Sequence, residues 1–196
     1  MLRSLVGSEM CIRDSYHRSK LQAEDLAKEI GGSAIQADLT KEEDVLNLFK
    51  QIENLHGSLD CCVANAGKYP TESLPAWEIS GDRLAETLDL NLKVTFYTSQ
   101  EFLRRAVERK RGSLVLVGST AGVHGERGHA DYACAKGAIT SGLLKTLKND
   151  VAGTGVRVNA VAPGWTLTES KINDGLDDSI SKTCLLYTSP SPRDFE

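Results

Sequence analysis

Tyr132 and Lys136 stand four residues apart in Asp131-Tyr132-Ala133-Cys134-Ala135-Lys136. In a helix that spacing puts both side chains on one face, one turn apart. A phenol titrating near about 10 is a poor acid–base group at neutral pH, and an ammonium held beside it favours the phenolate. Such a pair suits proton transfer to or from an alcohol oxygen. By itself, Tyr-x-x-x-Lys is also what a solvated helix face presents, so the neighbours decide. Ser119 lies thirteen residues earlier, in Gly118-Ser119-Thr120, directly after an apolar run. Asn65-Ala66-Gly67 follows another apolar run, and Asn91 sits inside a long helical stretch. Pro163-Gly164, with Thr166 and Thr168 just beyond, follows a third. In parallel sheets the carboxyl ends of strands are where active-site groups collect.

The elements that must position these residues can be read from periodicity. Leu21, Leu26 and Ile30 make a helical stripe that Gly31-Gly32 stops. Ser33–Ala37 is a short strand candidate. Thr40-Lys41-Glu42-Glu43 reads as a capping box, opening a helix whose apolar face is Val45, Leu48, Phe49, Ile52 and Leu55. Leu59–Ala64 is a continuous apolar run, as in a parallel strand covered on both faces. After a loop with Pro70 and Pro75, a helical stretch runs from about Asp82 to Arg109, with Leu84, Leu88, Leu92, Phe96 and Leu103 in step. Leu114–Val117 is a strand, Ala130–Val151 a helix closed by Gly153 and Gly155, and Val156–Val161 the last strand. Strict alternation with apolar strands predicts an α/β fold, a parallel sheet wrapped by helices.

Composition bounds what this unit can be. The chain has 196 residues, 40% hydrophobic and 26% charged, with a formal net charge of -4. No apolar run approaches the roughly 18 residues of a membrane span, and the acidic balance lacks the electrostatic footprint of a nucleic-acid binder. Neither membrane nor nucleic acid is therefore an expected partner. Cys61, Cys62 and Cys134 have neither the spacing of a zinc site nor the count of a disulfide framework. Adjacent Cys61 and Cys62 would point to opposite faces of a strand, as small buried apolar residues. Reduced thiols fit a cytoplasmic setting, and no metal site is expected. His124 and His129 are read as surface or pocket-rim groups, and Trp77 and Trp165 as packing or pocket wall. Arg104, Arg105, Arg109, Lys110 and Arg111 read as the charge complement of a helix C-terminus.

The two ends read differently. One possible coding of Cys184–Asp194 (CLLYTSPSPRD), reverse-complemented, encodes LVGSEMCIRD, which is Leu5–Asp14 of the same chain. One DNA element read in opposite directions thus accounts for both ends. It resembles a transposon adapter used in preparing sequencing libraries. Residues 1–15 and 184–196 are therefore expected to be adapter-derived, with 16–183 the native unit.

Taken together and in order, Asn-Ala-Gly, a helix asparagine, Ser thirteen before Tyr-x-x-x-Lys, and Pro-Gly followed by threonine resemble the short-chain dehydrogenase/reductase family. The resemblance runs from Tyr16 to about Ser170. It implies a Rossmann-like, doubly wound parallel sheet with helices on both faces. It also implies an oxidoreductase moving a hydride between a nicotinamide cofactor and a carbonyl or secondary alcohol, similar to 3-oxoacyl-acyl-carrier-protein reductases or to sugar and polyol dehydrogenases. The alternative on the same fold is a non-catalytic nucleotide-binding sensor.

The family's roles pass to this chain residue by residue. Tyr132 would be the general acid or base, and Ser119 would hydrogen-bond the substrate oxygen. Lys136 would lower the pKa of Tyr132 and hold the nicotinamide ribose. Asn91 would fix a water in a proton relay from Lys136, a role compatible with satisfying helix backbone. Asp38 and Leu39 match the position beside the adenine, and Asn65, Ala66 and Gly67 the turn past the adenosine ribose. Pro163, Gly164, Thr166 and Thr168 match the segment meeting the carboxamide and phosphates. Tyr16-His17-Arg18-Ser19 matches the end of the family's second strand, where an NAD enzyme carries an acidic residue. Here Arg18, with His17 or Ser19, suits a 2′-phosphate, so NADP(H) is expected over NAD(H).

The family's first strand and glycine-rich turn have no counterpart here. In the order 3-2-1-4-5-6 that strand is central, so Ser33–Ala37 and Leu59–Ala64 should lose their link. The turn supplies the amides that cradle pyrophosphate, and the chain as written is expected to be inactive. A homotetramer packing through the two long helices is the family's implied assembly.

Overall fold

The structure, a computed structural model, describes residues 12–164. Five parallel strands alternate with helices, the four expected strands in their expected order and one more ahead of the first helix. They are β1 (Arg13–Tyr16), β2 (Ser33–Gln36), β3 (Cys61–Ala64), β4 (Gly112–Val117) and β5 (Val156–Val161). The α-helices are α1 (Lys20–Glu29), α2 (Glu42–His56), α3 (Gly81–Leu88), α4 (Val94–Glu108), α5 (Thr120–His124), α6 (Ala130–Gly137) and α7 (Leu144–Asp150). The strands form two separate sheets, β1-β2 and β3-β4-β5. Arg13 pairs with Ser33 in the first; Cys61 pairs with Ser113, and Gly112 with Val156, in the second. β1 starts three residues inside the segment read as adapter-derived. Parallel pairing is made by backbone groups, which any non-proline residue supplies.

Gly31 and Gly57 stop α1 and α2 at φ 64° and 77°, a region open to glycine without a Cβ penalty. The two long helices are interrupted. Asp89–Lys93 between α3 and α4, and Ala138–Leu143 between α6 and α7, are π-helical turns. Such turns occur often at functional sites. The capping box does not form. The Thr40 hydroxyl donates to Asp38 Oδ1 at 2.6 Å, and α2 starts at Glu42 with Lys41 at its N-cap position and no side-chain cap. Helix α2 begins one residue later than a cap at Thr40 requires, so the Thr40 oxygen caps none of its amides.

The main core lies on one face of β3-β4-β5. Leu114 and Leu116 have no exposed surface there and pack with Ala64, Val156 and Val158 against Val45, Phe49, Phe102, Ala106 and Ile139. A smaller cluster of Ile35, Ala37, Leu48 and Ile52 joins β2 to α2. Thus α2 carries one residue pair into each core, and Leu39 and Leu59 touch both. Helix α1 packs on β1 and β2 through Ala23 and Ala27, while Leu21 stays 73% exposed. The predicted stripe thus rotates toward the small residues, which permit closer approach to the sheet. Leu55, Leu84 and Phe96 are likewise exposed.

Val63 is 56% exposed and Val161 49%, on the face of β3-β4-β5 opposite the core. The strand predicted as covered on both faces is covered on one among the described residues. Cys61 and Cys62 point to opposite faces as expected, but Cys61, expected to be buried, is exposed because its face of the strand is uncovered among the described residues, while burial pushes the Cys62 thiol up to about 12. It is β1, rather than β2, that faces the loop after β3, across a cleft of about 990 Å³ lined by Tyr16, Arg18, Asp38, Gly67 and Lys68. The Ser33–Gln36 strand keeps β1 as its partner.

Candidate functional site

Ser119, Tyr132 and Lys136 meet beyond the carboxyl end of β4. Ser119 is two residues past that strand and caps α5, its hydroxyl accepting from the Ala121 amide at 3.2 Å. Tyr132 and Lys136 lie on α6, and the Lys136 ammonium is 5.7 Å from the Tyr132 ring centroid. Lys136 is 4% exposed and donates to the Val117 carbonyl at 3.0 Å. The two short helices are drawn together at Gly122 and Gly137. A Cβ on Gly122 would lie 2.5 Å from Gly137 N and 2.9 Å from Lys136 Cβ. The backbone contact that brings Ser119 to the Tyr–Lys pair exists only because Gly122 has no side chain.

Burial pushes the Tyr132 phenol above its ordinary value; the nearby Ser119 hydroxyl opposes this, and the Glu126 charge adds to it. In this geometry burial, rather than the expected lowering by Lys136, sets the direction of the Tyr132 shift. The ammonium is directed at a backbone carbonyl, and burial drives its own pKa down. The phenol is held as an acid, the form that donates a proton to a carbonyl oxygen.

Asn91 is fully buried in the first π-helical turn. Its Nδ2 donates to the Lys68 carbonyl at 2.9 Å and the Thr87 carbonyl at 3.0 Å, while Oδ1 accepts from the Lys68 amide at 3.3 Å. It thereby pins the loop after β3. A Cβ on Gly67 would lie 2.7 Å from Asn91 Oδ1 and 3.4 Å from Lys136 Nζ, so Gly67, Asn91 and Lys136 converge. Asn65 and Ala66 are exposed in the same loop.

On the nucleotide side, Arg18 and Asp38 line the cleft described above, together with Gly67. Asp38 is held below the usual carboxylate range, first by the Thr40 hydroxyl and also by Lys41 and His17, with burial opposing. Leu39 packs on the core rather than lining the cleft. The Pro163 carbonyl accepts from the Thr120 amide at 3.0 Å, which sets Gly164 beside Thr120 and next to Ser119. Thr166, Thr168 and Trp165 lie outside the described residues.

Three further groups flank Tyr132. Tyr69 stacks on His129 at 4.7 Å and meets the Tyr132 ring edge-on at 5.1 Å, and its hydroxyl donates to Glu126 Oε1 at 2.8 Å. His129 is 6% exposed, so it is no surface residue, whereas His124 is exposed. Asp131, 2% exposed, accepts from Arg83 Nε at 2.9 Å and the Thr87 hydroxyl at 3.0 Å, anchoring α6 to α3. Its sequence signal was only its position beside Tyr132. Trp77 is 85% exposed and forms no wall. Of the basic cluster, Arg105 pairs with Glu53 and Glu101, Arg111 with Asp60, and Arg109 donates to the Leu59 carbonyl. These contacts lie at the amino end of β3, away from the site.

Residues 4–178 match the family described as short chain dehydrogenase. The L-fucose dehydrogenase of Oryctolagus cuniculus is 36% identical over 163 residues, which are 82% of this chain and 55% of that protein. The 3-oxoacyl-acyl-carrier-protein reductase of Rickettsia bellii is 33% identical, over 81% of this chain and 64% of its own length. The chain thus spans little more than half the length of such curated relatives. Among solved structures, an NAD+-bound xylitol dehydrogenase superposes with a TM-score of 0.77 at 28% identity, covering 84% of this chain and 64% of that one. A short-chain dehydrogenase from Streptomyces avermitilis gives 0.73 at 25%, covering 82% and 58%.

Proposed function

Since this chain belongs to the short-chain dehydrogenase family, we propose that its site serves hydride transfer between a nicotinamide cofactor and a carbonyl or secondary alcohol. The observation that carries this reading is the convergence of Ser119, Tyr132 and Lys136 beside Gly67 and Asn91. The bound nicotinamide supplies or accepts the hydride. In carbonyl reduction the Tyr132 hydroxyl gives its proton to the substrate oxygen, while Ser119 donates a hydrogen bond to that oxygen as charge grows on it. Lys136, fixed at the end of β4, holds the ribose and lies where a proton returning to Tyr132 would pass. Asn91 acts by pinning the Gly67–Lys68 loop.

The residues fit the adenosine half of the cofactor. Gly67 leaves open a position that a Cβ would close against Asn91, and Arg18 lines the same cleft with no acidic residue at 16–19. We take NADP(H) to be preferred over NAD(H). A fluorescence titration giving tighter binding of NADH than of NADPH would reverse that preference. No glycine-rich turn is found among the described residues, so pyrophosphate has no amide cradle there, and turnover by the 196-residue chain alone is expected to be undetectable. A graft placing a relative's strand, glycine-rich turn and helix ahead of β1 should restore carbonyl-dependent NADPH oxidation. In that graft Tyr132→Phe should lower kcat by about 10²–10⁴ and leave NADPH affinity unchanged. Unchanged turnover in Tyr132→Phe refutes the assignment.

The expected assembly is a homo-oligomer in the cytoplasm, to which the free thiols are suited. An apolar groove between α4 and α7, lined by Phe96, Leu103, Val107, Leu143 and Leu147, supports packing between copies through these helices. Light scattering that gives a monomer excludes this assembly.

A further inference from the structure

Two cations line the cleft between β1 and the loop after β3, one on each wall. Arg18 comes from the turn between β1 and α1, and Lys68 from the loop, directly after Asn65-Ala66-Gly67. Arg18 is assigned above to the adenosine end, whereas the ammonium of Lys68 has no part in the catalytic account.

The backbone of Lys68 is fixed and its head is loose. Its amide donates to Asn91 Oδ1 at 3.3 Å and its carbonyl accepts from Asn91 Nδ2 at 2.9 Å, and Asn91 is fully buried. The ammonium pairs with Glu86 of α3 at 3.1 Å, and the two side chains are 63% and 61% exposed. Such a pair is weak, because water screens it and holding two long side chains costs entropy. A phosphate oxygen is the stronger, charge-assisted acceptor for the same group. Exchanging Glu86 for phosphate therefore costs little. Two of the other acids on the lining are already engaged, Asp38 with Lys41 at 3.4 Å and Asp89 with Lys93 at 3.1 Å. Asp14 belongs to β1, on the opposite wall.

The position of Lys68 selects which phosphate it meets. A Cβ on Gly67, its chain neighbour, would lie 3.4 Å from Lys136 Nζ, the group assigned to the nicotinamide ribose. Across the same cleft stands Arg18, assigned to the 2′-phosphate. Lys68 thus adjoins the nicotinamide end and shares a cleft with the adenosine end. In a dinucleotide the anionic group between the two riboses is the pyrophosphate.

Resting on the hydride-transfer reading above, we infer that Lys68 is a cofactor-binding residue that leaves Glu86 to pair with the pyrophosphate. The juxtaposition that carries it is a backbone clamped by Asn91 at the cleft wall, with an exposed and exchangeable ion pair at the tip of its side chain. A compact charge on a flexible stem attracts phosphate without fixing its orientation, as the amides of a helix N-terminus do. Lys68 therefore lends affinity while the chain stays without turnover.

Binding of nucleotide fragments tests this. The full chain is titrated with adenosine, ADP and 2′-AMP, followed by amide shifts in the NMR spectrum, which also report that each variant keeps its fold. ADP should bind more tightly than adenosine. Lys68→Met should weaken ADP by about tenfold, the scale of one hydrogen bond to a charged group, and leave adenosine and 2′-AMP unchanged. Lys68→Arg, which keeps the charge, should bind ADP as the wild-type chain does. Glu86→Gln should tighten ADP by about twofold to fivefold, the scale of the exposed pair that it releases. Four outcomes overturn the assignment: no ADP binding, ADP binding indifferent to Lys68→Met, an equal loss for 2′-AMP, or weaker ADP binding in Glu86→Gln. Lys68-dependent ADP binding in a chain whose graft, described above, fails to oxidise NADPH overturns the hydride-transfer reading alone.

Discussion

The two sheets of this molecule carry different burdens. β3-β4-β5 rests on a core in which Leu114, Leu116, Phe102, Ala106 and Ile139 are almost wholly buried, and it holds Ser119, Tyr132 and Lys136. β1-β2 has two four-residue strands, and its core is four small or medium side chains shared with α2. It carries Arg18 and Asp38, the residues assigned to the adenosine end. The chemical half is therefore rigid by packing, whereas the nucleotide half leans on α2, the helix that enters both cores. The lesson is that the residues proposed as catalytic can be brought together by a dense core while those proposed for the adenosine end rest on a thin one.

The sharpest way to break this contrast is to remove core volume on each side. Leu114→Ala should cost about 3–5 kcal/mol, and Ile35→Ala about 2, because cavity cost grows with how little the surroundings can collapse. Urea unfolding measures both. Hydrogen exchange should show β4 amides protected well beyond those of β1, and equal protection would erase the distinction.

Next comes the buried Asp131–Arg83 pair that seats α6. Asp131→Asn should lose about 3 kcal/mol, since the largely buried Arg83 would keep only its longer pair with the exposed Glu72 at 3.8 Å. Burial raises the Asp131 pKa, but the bonds from Arg83, the Tyr132 amide and Thr87, with the Arg83 charge, more than offset this and hold it below 3.8. A depressed carboxylate contributes stability above its unfolded value and loses it as pH falls through the folded one. The wild-type chain should therefore weaken below about pH 4, and Asp131→Asn should show a shallower acid limb in pH-dependent melts.

A finer test separates the two faces of a single strand. Val63→Ser, on the bare face of β3, should change stability by less than about 0.5 kcal/mol, as surface substitutions do. Leu116→Ser on the covered face should cost several times more. Smallest of all, Lys20→Ala removes an exposed pair with Glu24, worth about 0.3–0.5 kcal/mol at most, and a detectable change in Tm would mean that α1 is more marginal than its packing indicates.

Much of this was legible in advance, and the reasons are local. The positions of β2 to β5 were legible from short apolar stretches, whereas β1 lies mostly in the segment set aside as adapter-derived, and helix ends followed from Gly31-Gly32, Gly153 and Gly155. The Tyr132–Lys136 juxtaposition followed from a helix turn. Ser119 was legible because its residue type stood where a strand ends. What escaped was set by distant neighbours. The face α1 presents and the exposure of Leu55 and Trp77 depended on partners far away, and the Thr40 cap failed because α2 begins one residue later, at Glu42 with Lys41 at the N-cap. The direction of the Tyr132 shift depended on burial, which spacing alone does not encode.

Sequence alone thus determined the alternation, the parallel pairing and the residues proposed as reactive, because each is a property of periodicity or of residue type at a strand end. Only the tertiary structure decided that the sheet is split in two, that one face of β3 lies open among the described residues, and that Tyr69, Glu126 and His129 stand beside Tyr132. Those outcomes come from long-range packing, in which Gly122 lets two helices touch and Asn91 pins a loop, and no local pattern records such contacts.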